Sequence, residues 1–510
     1  MEGLHNFISL DIGTTTIRCL IIDSSTRVLG SAFAKVELLY PEECRVEIDP
    51  EWLWDTIISV VKNALYDAKI SASEVKSLGI SSQRATFITW HKDTNKPFHN
   101  FITWKDVRSS NLIEKWNNSM IIKSLRTASY LLYLITRNAR YLAGSRLKMG
   151  CSHVSSRLLW VLDNIPEIRE EIKKHNVMFG TLETWLLYRL TNHKTYVTDI
   201  SSASATGFFD PFTLEWGSWA INILKIPKEI LPPVVENDYN FGSTDYFGAP
   251  ISISTVLADQ TAAMLGSCCF KENTLKITIG TGSFINVNTG SRADCTFDGM
   301  YPLVGWKLEG IMTYLTEAPC SDGGSLVEWM KVAGYVKDIA DINRIVNGED
   351  VNDLYFIPAF SGLGPPFNDA KAASGFIGIK PTTTSDQMAL AVLESITFRV
   401  GLAFQALKSD CNRPFKKICI DGGVSQNDFI CQVIANVTDL EVERAQFKEI
   451  AALGVLFSCG ISEGIWSNTS DLKKLRVVDR TFKPDSNSQK FKDKMEKWKQ
   501  AAERFQMWYK

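Results

Sequence analysis

The segment FISLDIGTTTIRCLIID, residues 7–23, places one acid, one glycine and three threonines between two apolar runs. Both runs have strand character, which predicts two strands joined by a tight turn. Gly13 lets the backbone approach a ligand closely, and the hydroxyls and amides of Thr14, Thr15 and Thr16 are donors that suit phosphate oxygens. Asp11 would repel a phosphate directly, but it could hold Mg²⁺, which in turn bridges phosphates. The segment therefore predicts a turn that binds phosphate and magnesium.

A second turn of the same kind occurs half a chain later, in LKITIGTGSFINVNT, residues 275–289. Gly280, Thr281 and Gly282 again stand between two runs with strand character. One such hairpin is commonly structural, but two in matching contexts favour a shared ligand-binding role. The repetition predicts two lobes of related topology that face one cleft.

A third glycine segment is KICIDGGVSQNDFICQVIANV, residues 417–437. A predicted strand ends in Asp421, Gly422 and Gly423, and a helix follows. Backbone amides at a helix start, next to glycines, can accept a nucleotide phosphate. A plain strand-to-helix turn is the alternative interpretation.

A fourth segment, ISISTVLADQTAAMLG at residues 251–266, places a carboxylate at a strand end. Alternating apolar residues predict a strand, and Asp259 with Gln260 opens an alanine-rich helix. Open α/β sheets place their chemistry at the carboxyl ends of strands. A helix N-cap is the alternative role for Asp259.

The elements that must position these residues alternate between strand and helix, which predicts α/β lobes. Helices are expected near 51–68, 158–173, 183–189, 323–334, 386–408, 427–437 and 450–460. Strands are expected near 27–37, 78–81, 86–90, 308–316 and 354–359. A lobe boundary is expected just after the helix at 260–266, which divides the chain into residues 1–267 and 268–510.

The end of the chain carries apolar residues at helical spacing, which predicts an amphipathic helix at about 488–508. The apolar positions are Phe491, Met495, Trp498, Ala502 and Phe505. We expect this helix to pack on the second lobe, and a partner-binding helix is the alternative.

The bulk composition is that of a globular protein with two domains. The 510 residues exceed the size at which a single core stops growing, roughly 250–300 residues. Hydrophobic residues make up 45% and charged residues 22%, which is ordinary for a soluble protein. The formal net charge of -2 gives no sign of the concentrated basic face that a nucleic acid or an acidic membrane requires.

The cysteines and apolar runs indicate a reducing compartment and no membrane span. Eleven cysteines are scattered without a CxxC pair, and no HExxH occurs, which argues against a disulfide framework or a structural zinc site. No signal peptide is expected. The longest apolar runs, such as YLLYLI at 130–135, are too short to cross a bilayer. A cytoplasmic location follows as an expectation.

Taken together, these segments resemble the FGGY carbohydrate kinases, which belong to the actin-like, ribonuclease H-like ATPase superfamily. The order and spacing of the four segments match that family from about residue 5 to residue 505. The chain is most similar to the glycerol kinases, and in particular to a divergent animal branch of them. Further similar segments are GISSQRATFITW at 79–90, NFITWKDVRSS at 100–110, FGTLETWLLYRLT at 179–191 and VTDISSASATGFFD at 197–210.

The resemblance implies an α/β fold of two actin-like lobes with the catalytic cleft between them. It implies ATP-dependent phosphorylation of glycerol to sn-glycerol 3-phosphate, with Asp259 as the general base and Asp11 organising Mg²⁺. The polyol pocket would be lined by Arg84, Trp104, Asp259, Gln260 and Phe284. ATP would be contacted by Thr14, Thr15, Arg18, Thr281, Gly324, Gly423 and Asn427. Outside this motif context, an arginine in such a position is often a surface ion pair, and a tryptophan or phenylalanine is often core.

Four positions depart from the family pattern or bear on it. Ala85 stands where glycerol kinases usually have a glutamate that accepts a hydrogen bond from glycerol. Ser152 falls, by an ungapped count, where they have a tyrosine that touches glycerol. Glu328 replaces a glutamine near the nucleotide, and it would repel phosphates unless it faces away. Glu317 is kept, and we expect it to belong to the Mg²⁺ surroundings.

These departures leave three hypotheses open. The first is a glycerol kinase with a loosened pocket. The second is a kinase for another small polyol or ketose, since Ala85 makes room for a bulkier or less polar acceptor. The third is a catalytically weak ATP-binding regulator, against which the retained Asp259 argues. A homo-oligomer is compatible with the sequence, and no nucleic-acid partner is expected.

Overall fold

The computed structural model describes residues 4–295, 301–348, 350–351, 353–369, 371–411 and 413–509. The strands of the first half are β1 (Asn6–Ile12), β2 (Thr16–Asp23), β3 (Val28–Lys35), β4 (Glu47–Ile48), β5 (Val75–Ser82), β6 (Phe87–His91), β7 (Phe101–Ile102), β8 (Val177–Thr181), β9 (Thr198–Asp199), β10 (Phe209–Asp210), β11 (Glu215–Trp216), β12 (Val234–Val235), β13 (Ser243–Thr244) and β14 (Ile251–Ala258). Those of the second half are β15 (Leu275–Ile279), β16 (Gly282–Gly290), β17 (Tyr301–Leu308), β18 (Ile311–Asp322), β19 (Tyr355–Ile357), β20 (Gly375–Ile377), β21 (Lys417–Asp421), β22 (Glu441–Ala445) and β23 (Val478–Phe482).

Helices separate and cover these strands. Those of the first half are α1 (Pro50–Ala68), α2 (Ser110–Asn118), α3 (Met120–Thr136), α4 (Ala139–Ser145), α5 (Val154–Asn164), α6 (Pro166–Lys173), α7 (Leu182–Leu190), α8 (Ile200–Ser204), α9 (Ser218–Leu224) and α10 (Asp259–Gly266). Those of the second half are α11 (Gly324–Val332), α12 (Ile339–Gly348), α13 (Ser385–Cys411), α14 (Asp428–Thr438), α15 (Ile450–Ser462), α16 (Thr469–Leu475) and α17 (Ser488–Glu503).

Two large mixed sheets repeat one plan. In the first, ordered β13-β14-β5-β1-β2-β3, β1 pairs antiparallel with β2 and parallel with β5, which pairs parallel with β14. In the second, ordered β17-β18-β16-β15-β21-β22-β23, β15 pairs antiparallel with β16 and parallel with β21, which pairs parallel with β22. Each glycine-threonine turn joins the first two strands of its sheet. The predicted pair of related α/β lobes is what the structure has.

The boundary between the two lobes is crossed by a helix. By chain order α15 belongs with the second sheet, but its side chains share a buried cluster with β1, β14 and α10. The cluster includes Phe7, Leu257, Leu265, Leu453 and Phe457. The two lobes are therefore joined through the packing of α10 against α15 as well as through the chain.

Several predicted elements are present with changed bounds. The single helix expected at 158–173 is two helices, because Pro166 opens α6 and a residue before proline is disfavoured in helical conformation. The strand expected at 308–316 begins in a hairpin turn, since Glu309 and Gly310 both have left-handed φ and join β17 to β18. The tail helix α17 ends at Glu503 rather than near 508. The helices that were not expected are α2, α3, α4, α8, α9, α12 and α16.

One described helix, α13, is long and apolar enough to cross a membrane by length and composition. An 18-residue window within Ser385–Ser409 has a mean hydropathy of 1.4, and 94% of that window is buried inside the protein. It packs in the core of the second lobe with β15, β18 and β21. Burial of this kind is what a core helix requires.

Candidate active site

Three of the predicted site residues lie at one edge of the first sheet. Asp11 is near the end of β1, Arg84 follows β5, and Asp259 follows β14 as the first residue of α10. These three strands are parallel, so their carboxyl ends meet at the same edge. The fold therefore gathers an acid, a base candidate and a cation from distant segments.

Arg84 lies at the centre of this edge and connects the lobes. Its Nη2 donates to Oε1 and Oε2 of Glu317 at 2.9 and 2.7 Å, and its Nε lies 3.4 Å from Oδ1 of Asp259. Burial opposes the charge of the Arg84 guanidinium, but Glu317 and Asp259 outweigh burial and raise its pKa. Arg84 therefore stays charged in the cleft.

Glu317 is fixed by donors from three directions. In addition to Arg84, Asn286 Nδ2 donates at 2.7 Å and the Tyr301 hydroxyl donates at 3.2 Å. Its side chain is 1% exposed. This places the carboxylate with Arg84 on the Asp259 side of the cleft, and it does not support the expected role in the Mg²⁺ surroundings.

Asp259 is positioned by its own helix. Its Oδ1 accepts from the backbone amide of Gln260 at 2.7 Å, and 29% of the side chain is exposed. Burial raises the pKa of Asp259, while Arg84 and the Gln260 amide oppose the rise. A carboxylate with a raised pKa at a cleft is suited to accept a proton.

Aromatic rings form the walls beside Arg84. Trp104 Nε1 donates to Thr14 Oγ1 at 2.8 Å, and the Trp104 and Phe284 rings meet edge-on at 6.4 Å between centroids. The Arg84 guanidinium carbon lies 5.6 Å from the centre of the Phe284 ring. The structure thus brings together Arg84, Trp104, Asp259 and Phe284.

Asp11 has the character of a cation ligand. Its Oδ1 is buried with no hydrogen-bond partner among the described residues. Burial raises the pKa of Asp11 to about 7, although the neighbouring Ser81 hydroxyl opposes the rise. Asp259 is close enough to add to that rise. The described residues contain no group of three or more histidine, cysteine, aspartate or glutamate side chains that could enclose a metal. A cation at Asp11 would therefore need water or phosphate oxygens as its other ligands.

The other predicted residues of the first turn differ in their surroundings. Thr15 is exposed, and its carbonyl accepts from the Val36 amide at 2.9 Å. Arg18 forms an ion pair with Glu449, the residue before α15. Its guanidinium is therefore committed to the other lobe rather than directed at the turn.

Three glycine turns of the second lobe, at residues 280–282, 323–324 and 422–423, lie against one another. Gly422 has φ of 93°, and a Cβ there would lie 2.4 Å from the Ile279 carbonyl oxygen. Gly324, the first residue of α11, donates its amide to the Gly280 carbonyl at 2.6 Å. A Cβ on Gly423 would meet nothing within 4 Å. The turns pack on one another and leave an open surface at Gly423, which a ligand could approach.

Thr281 and Asn427 lie beside these turns, and each already makes hydrogen bonds within the second lobe. The Thr281 carbonyl accepts from the amides of Gly323 and Ser325 at 3.3 and 3.2 Å. The Asn427 side chain caps α14 by accepting from the Phe429 amide at 3.0 Å. Its Nδ2 lies 3.3 Å from Asn343 Oδ1 on α12. A nucleotide contact from Asn427 would thus come from its amide nitrogen.

A buried lysine that the motifs did not single out lies between the lobes. Lys276 is fully buried on β15, and its Nζ donates to Gln260 Oε1 at 3.2 Å and lies 3.4 Å from Asp421 Oδ1. It also bonds to Thr278 Oγ1, which donates to Asp421 at 2.6 Å. Lys276 therefore ties the helix of Asp259 to a glycine turn. A lysine inside the apolar run LKITI is the signal that could have found it.

The altered pocket positions lie around a second buried cation. Ala85 has a left-handed φ of 60°, and its methyl group belongs to an apolar cluster with Phe87 and Met149. Its carbonyl accepts from Arg157 Nη2 at 2.7 Å, and so does the carbonyl of Ser152, also at 2.7 Å. Arg157 also binds the carbonyls of Ile102 and Thr103, next to Trp104. One guanidinium therefore holds three segments of the pocket wall.

The structure also shows the surroundings of Ser152 and Glu328, two positions that depart from the family pattern. Ser152 is exposed, while the next residue, His153, packs its ring against Tyr301 at 6.2 Å. Tyr301 in turn donates to Glu317, so the His153 and Tyr301 rings lie close to the cleft. The Glu328 side chain is 72% exposed and pairs with Lys331 at 2.8 Å. It is neutralised at the surface.

Comparison with known proteins agrees along the whole chain. Residues 6–266 match the FGGY family of carbohydrate kinases, N-terminal domain, and residues 275–462 match its C-terminal domain. Glycerol kinase 5 of Danio rerio is 41% identical over 511 residues, covering 98% of this chain and 97% of that protein. Glycerol kinase 1 of Clostridium tetani is 32% identical over 507 residues, covering 99% of each.

A solved structure agrees as well. The crystal structure of Plasmodium falciparum glycerol kinase with ADP matches with a TM-score of 0.84 at 25% identity, covering 98% of each chain. The resemblance read from the motifs, including the animal branch, and the two-lobed actin-like fold are confirmed. The division between residues 267 and 268 stays a prediction, as do the individual roles of the site residues.

Proposed function

The chain belongs to the FGGY family of carbohydrate kinases, and on that premise we propose that it transfers the γ-phosphoryl group of ATP to glycerol, giving sn-glycerol 3-phosphate. Family membership confirms the predicted activity class, an ATP-dependent kinase. The observation that carries the choice of a polyol is Arg84, held charged between Asp259 and Glu317 under an aromatic wall.

We assign the chemistry to Asp259. Its carboxylate accepts the proton of the attacking hydroxyl, a role usually worth about 10²–10⁴-fold in rate. Arg84 orients the polyol through its oxygens, and Gln260, fixed by Lys276, completes that side. Trp104 and Phe284 keep water from the reacting groups, which limits wasteful ATP hydrolysis.

We assign the phosphates of ATP to the space between the glycine turns of the two lobes. The convergence of the second-lobe turns and the open surface at Gly423 support this. The contacting residues we propose are Thr14, Thr15, Arg18, Thr281, Gly324, Gly423 and Asn427. Nη1 of Arg18 is paired with Glu449, so Arg18 would reach a phosphate through its other N–H groups or in exchange for that ion pair.

We assign Asp11 to Mg²⁺, because its buried Oδ1 has no hydrogen-bond partner among the described residues. When bound, Mg²⁺ neutralises charge on the transferred phosphoryl group. Asp11 then serves to hold the cation at the end of β1, beside the phosphate-binding turn.

A kinase for another small polyol or ketose is the second candidate, and Ala85 is the observation that favours it. Its buried methyl group replaces a hydrogen-bond acceptor in the pocket, and the loss of such a charge-assisted bond costs about 1.5–3 kcal/mol. A catalytically weak regulator is the third. We place the reaction in the cytoplasm, and the absence of a disulfide among the ten cysteines whose side chains are described supports this.

The experiment that tests the function is ADP release by the purified protein with Mg-ATP. The acceptors are glycerol, dihydroxyacetone, erythritol, ribitol and xylulose, each with the parent chain and with Asp259→Asn. We expect glycerol-dependent ADP release that falls about 10²–10⁴-fold in Asp259→Asn while ATP binding persists. Because the pKa of Asp259 is raised, the acid limb of the rate profile should lie above the ordinary carboxyl range of about 4.

The matched control is Asp55→Asn, which removes one exposed carboxylate from α1 of the same lobe. It should leave turnover unchanged. Equal turnover in Asp259→Asn and the parent would contradict the assigned base. Turnover on another acceptor alone would select the second candidate, and ATP binding with no turnover on any acceptor would select the regulator.

A further inference from the structure

Helix α3 exposes a large apolar surface. Only Ile122 and Ser129 are buried among its residues. Met120 is 76% exposed, Leu131 is 55% exposed and Ile135 is 80% exposed. The exposed large apolar residues of this helix, which we call the α3 apolar face, are Met120, Ile121, Tyr130, Leu131, Leu132, Leu134 and Ile135. An exposed patch of this kind usually marks a binding surface.

The periodicity of the helix shows that this face is organised. At 100° per residue, Ile122 and Ser129 fall on one side, where α3 packs against α4. Met120, Leu131 and Ile135 fall on the opposite side, away from the protein. The side of α3 with more apolar residues therefore faces the solvent, which is the opposite of an ordinary surface helix.

The same part of the chain is strongly basic. No aspartate or glutamate occurs between Lys115 and Leu162. The basic residues in that stretch are Lys115, Lys123, Arg126, Arg137, Arg140, Arg146, Lys148 and Arg157. The whole-chain charge of -2 does not reveal this local excess of basic residues.

Part of that charge stays available at the surface. Arg157 is buried and Arg140 pairs with Asp210 at 2.5 Å, so neither contributes an open cation. Lys123 and Arg126 are exposed along α3, and Arg137 ends the helix with its guanidinium 5.6 Å from the Tyr133 ring. Arg126 Nε donates to the Ser145 carbonyl at 3.4 Å. Neither this hydrogen bond nor the ring contact of Arg137 neutralises the positive charge of the arginine. The apolar face is thus edged by cations.

Two occupants would cover an apolar face, a second copy of the chain or a lipid surface. A two-fold contact would set each basic edge against its own copy, which like charges oppose. An anionic bilayer attracts the cations and accepts the apolar side chains together. We propose that α3 binds the surface of an anionic lipid bilayer, with Met120, Leu131 and Ile135 inserted and the helix lying in the interface.

The helix is suited to lie on a bilayer rather than to cross it. Its Met120–Thr136 span is about 25 Å long, short of the roughly 30 Å hydrocarbon thickness. Lys123 and Arg126 lie within it, where a crossing helix would pay to bury them. Attachment of the folded kinase through α3 would leave the lobes intact.

The test is co-sedimentation of the full chain with vesicles of phosphatidylcholine alone and of phosphatidylcholine mixed with phosphatidylserine. We expect binding to the mixed vesicles that weakens as salt rises, because screening acts over about 8 Å at physiological ionic strength. Leu131→Glu with Ile135→Glu should reduce the partition coefficient at least about tenfold. Lys123→Glu should reduce it less, and in a salt-dependent way.

The matched control is Tyr66→Glu, which changes an exposed aromatic residue on α1 that is 86% exposed. It should bind vesicles like the parent, and all variants should keep the parent's thermal transition. Absence of parent binding at low salt, equal binding to neutral vesicles, or equal binding by the Leu131→Glu, Ile135→Glu variant would overturn the proposal. A dimer in solution that this variant converts to a monomer would overturn it in favour of a second copy.

Discussion

At the scale of single residues, the polyol pocket combines retained and altered positions. Arg84, Trp104, Asp259 and Phe284 meet in space, while Ala85 contributes a methyl group at a left-handed position. Arg157 fixes the carbonyl of Ala85, while its methyl group packs in an apolar cluster, so a polar side chain at this position must point into the cleft to be accommodated. The polarity of the pocket can be tested by substituting this one side chain.

We expect Ala85→Glu to lower the KM for glycerol about 10- to 100-fold, since it adds a charged acceptor for a glycerol hydroxyl. The measurement is steady-state kinetics with glycerol at saturating Mg-ATP. Ala85→Gln, with the same shape and no charge, is the control and should give a smaller change. An unchanged or raised KM in Ala85→Glu would argue that glycerol is not the acceptor held there.

The sequence could predict what is local and could not predict what joins the lobes. Glycine turns, the strand before Asp259 and its helix follow from short patterns, because turn chemistry and periodicity act over a few residues. The pairing of Arg84 with Glu317, and of Arg18 with Glu449, depends on how two lobes pack. No pattern within either segment encodes it.

At the scale of elements, the missed helices have a physical explanation. Helix α3 carries apolar residues on its solvent side, so its pattern matches no buried face. The split of α5 from α6 follows from Pro166, because a proline disfavours helical conformation at the preceding residue, Ile165. Buried charges such as Lys276 and Arg157 gave only the signal of a cation within an apolar run.

Helix α7 contains a buried acid that makes the stability of its lobe depend on pH. Burial and the neighbouring Asp199 raise the pKa of Glu183 to about 7, although Thr198 donates to it at 2.9 Å. The pKa of Asp199 is also raised, by burial. Between the ordinary value of 4.5 and about 7, the folded state holds a proton that the unfolded state has released. Stability therefore falls as pH rises through that window.

We expect Glu183→Gln to remove most of that fall and therefore to raise Tm near neutral pH relative to the parent. The measurement is Tm from about pH 5 to about pH 8. Near pH 5 the variant and the parent should agree. Glu170→Gln, on the exposed surface of α6, is the control and should track the parent. A parallel pH profile in Glu183→Gln and the parent would contradict the assignment.

At the scale of the whole molecule, the lobes meet where α10 crosses α15, with backbone directly against backbone at one glycine on each helix. A Cβ on Gly454 would lie 1.8 Å from the Ala262 carbonyl oxygen, and one on Gly266 would lie 2.1 Å from the Ile450 carbonyl oxygen. These distances admit no methyl group. The crossing therefore requires glycine on both helices.

We expect Gly454→Ala to cost about 1–3 kcal/mol of stability, because the methyl group must push the helices apart. Since α10 carries Asp259, kcat should fall together with Tm. The measurements are Tm by calorimetry and kcat for the preferred acceptor. Gly348→Ala, where a Cβ meets nothing within 4 Å, is the control and should leave both unchanged or raise Tm slightly. Parent values of both Tm and kcat in Gly454→Ala would show that the crossing is looser than described.

The glycine crossing also has a mechanical consequence. Gly266 closes α10 and Asp259 opens it, so the carboxylate lies about 10 Å along the helix from the contact point. A rotation of about 10° about that point would carry Asp259 about 2 Å, and a misplacement of about 1 Å can cost about 10²-fold in rate. Direct contact between the two helix backbones is rigid, whereas side chains between the helices could rearrange and absorb part of a movement. A small rotation of one lobe against the other would therefore displace the Asp259 carboxylate in full. The moment at which Asp259 can remove the proton would then be set by the relative position of the lobes.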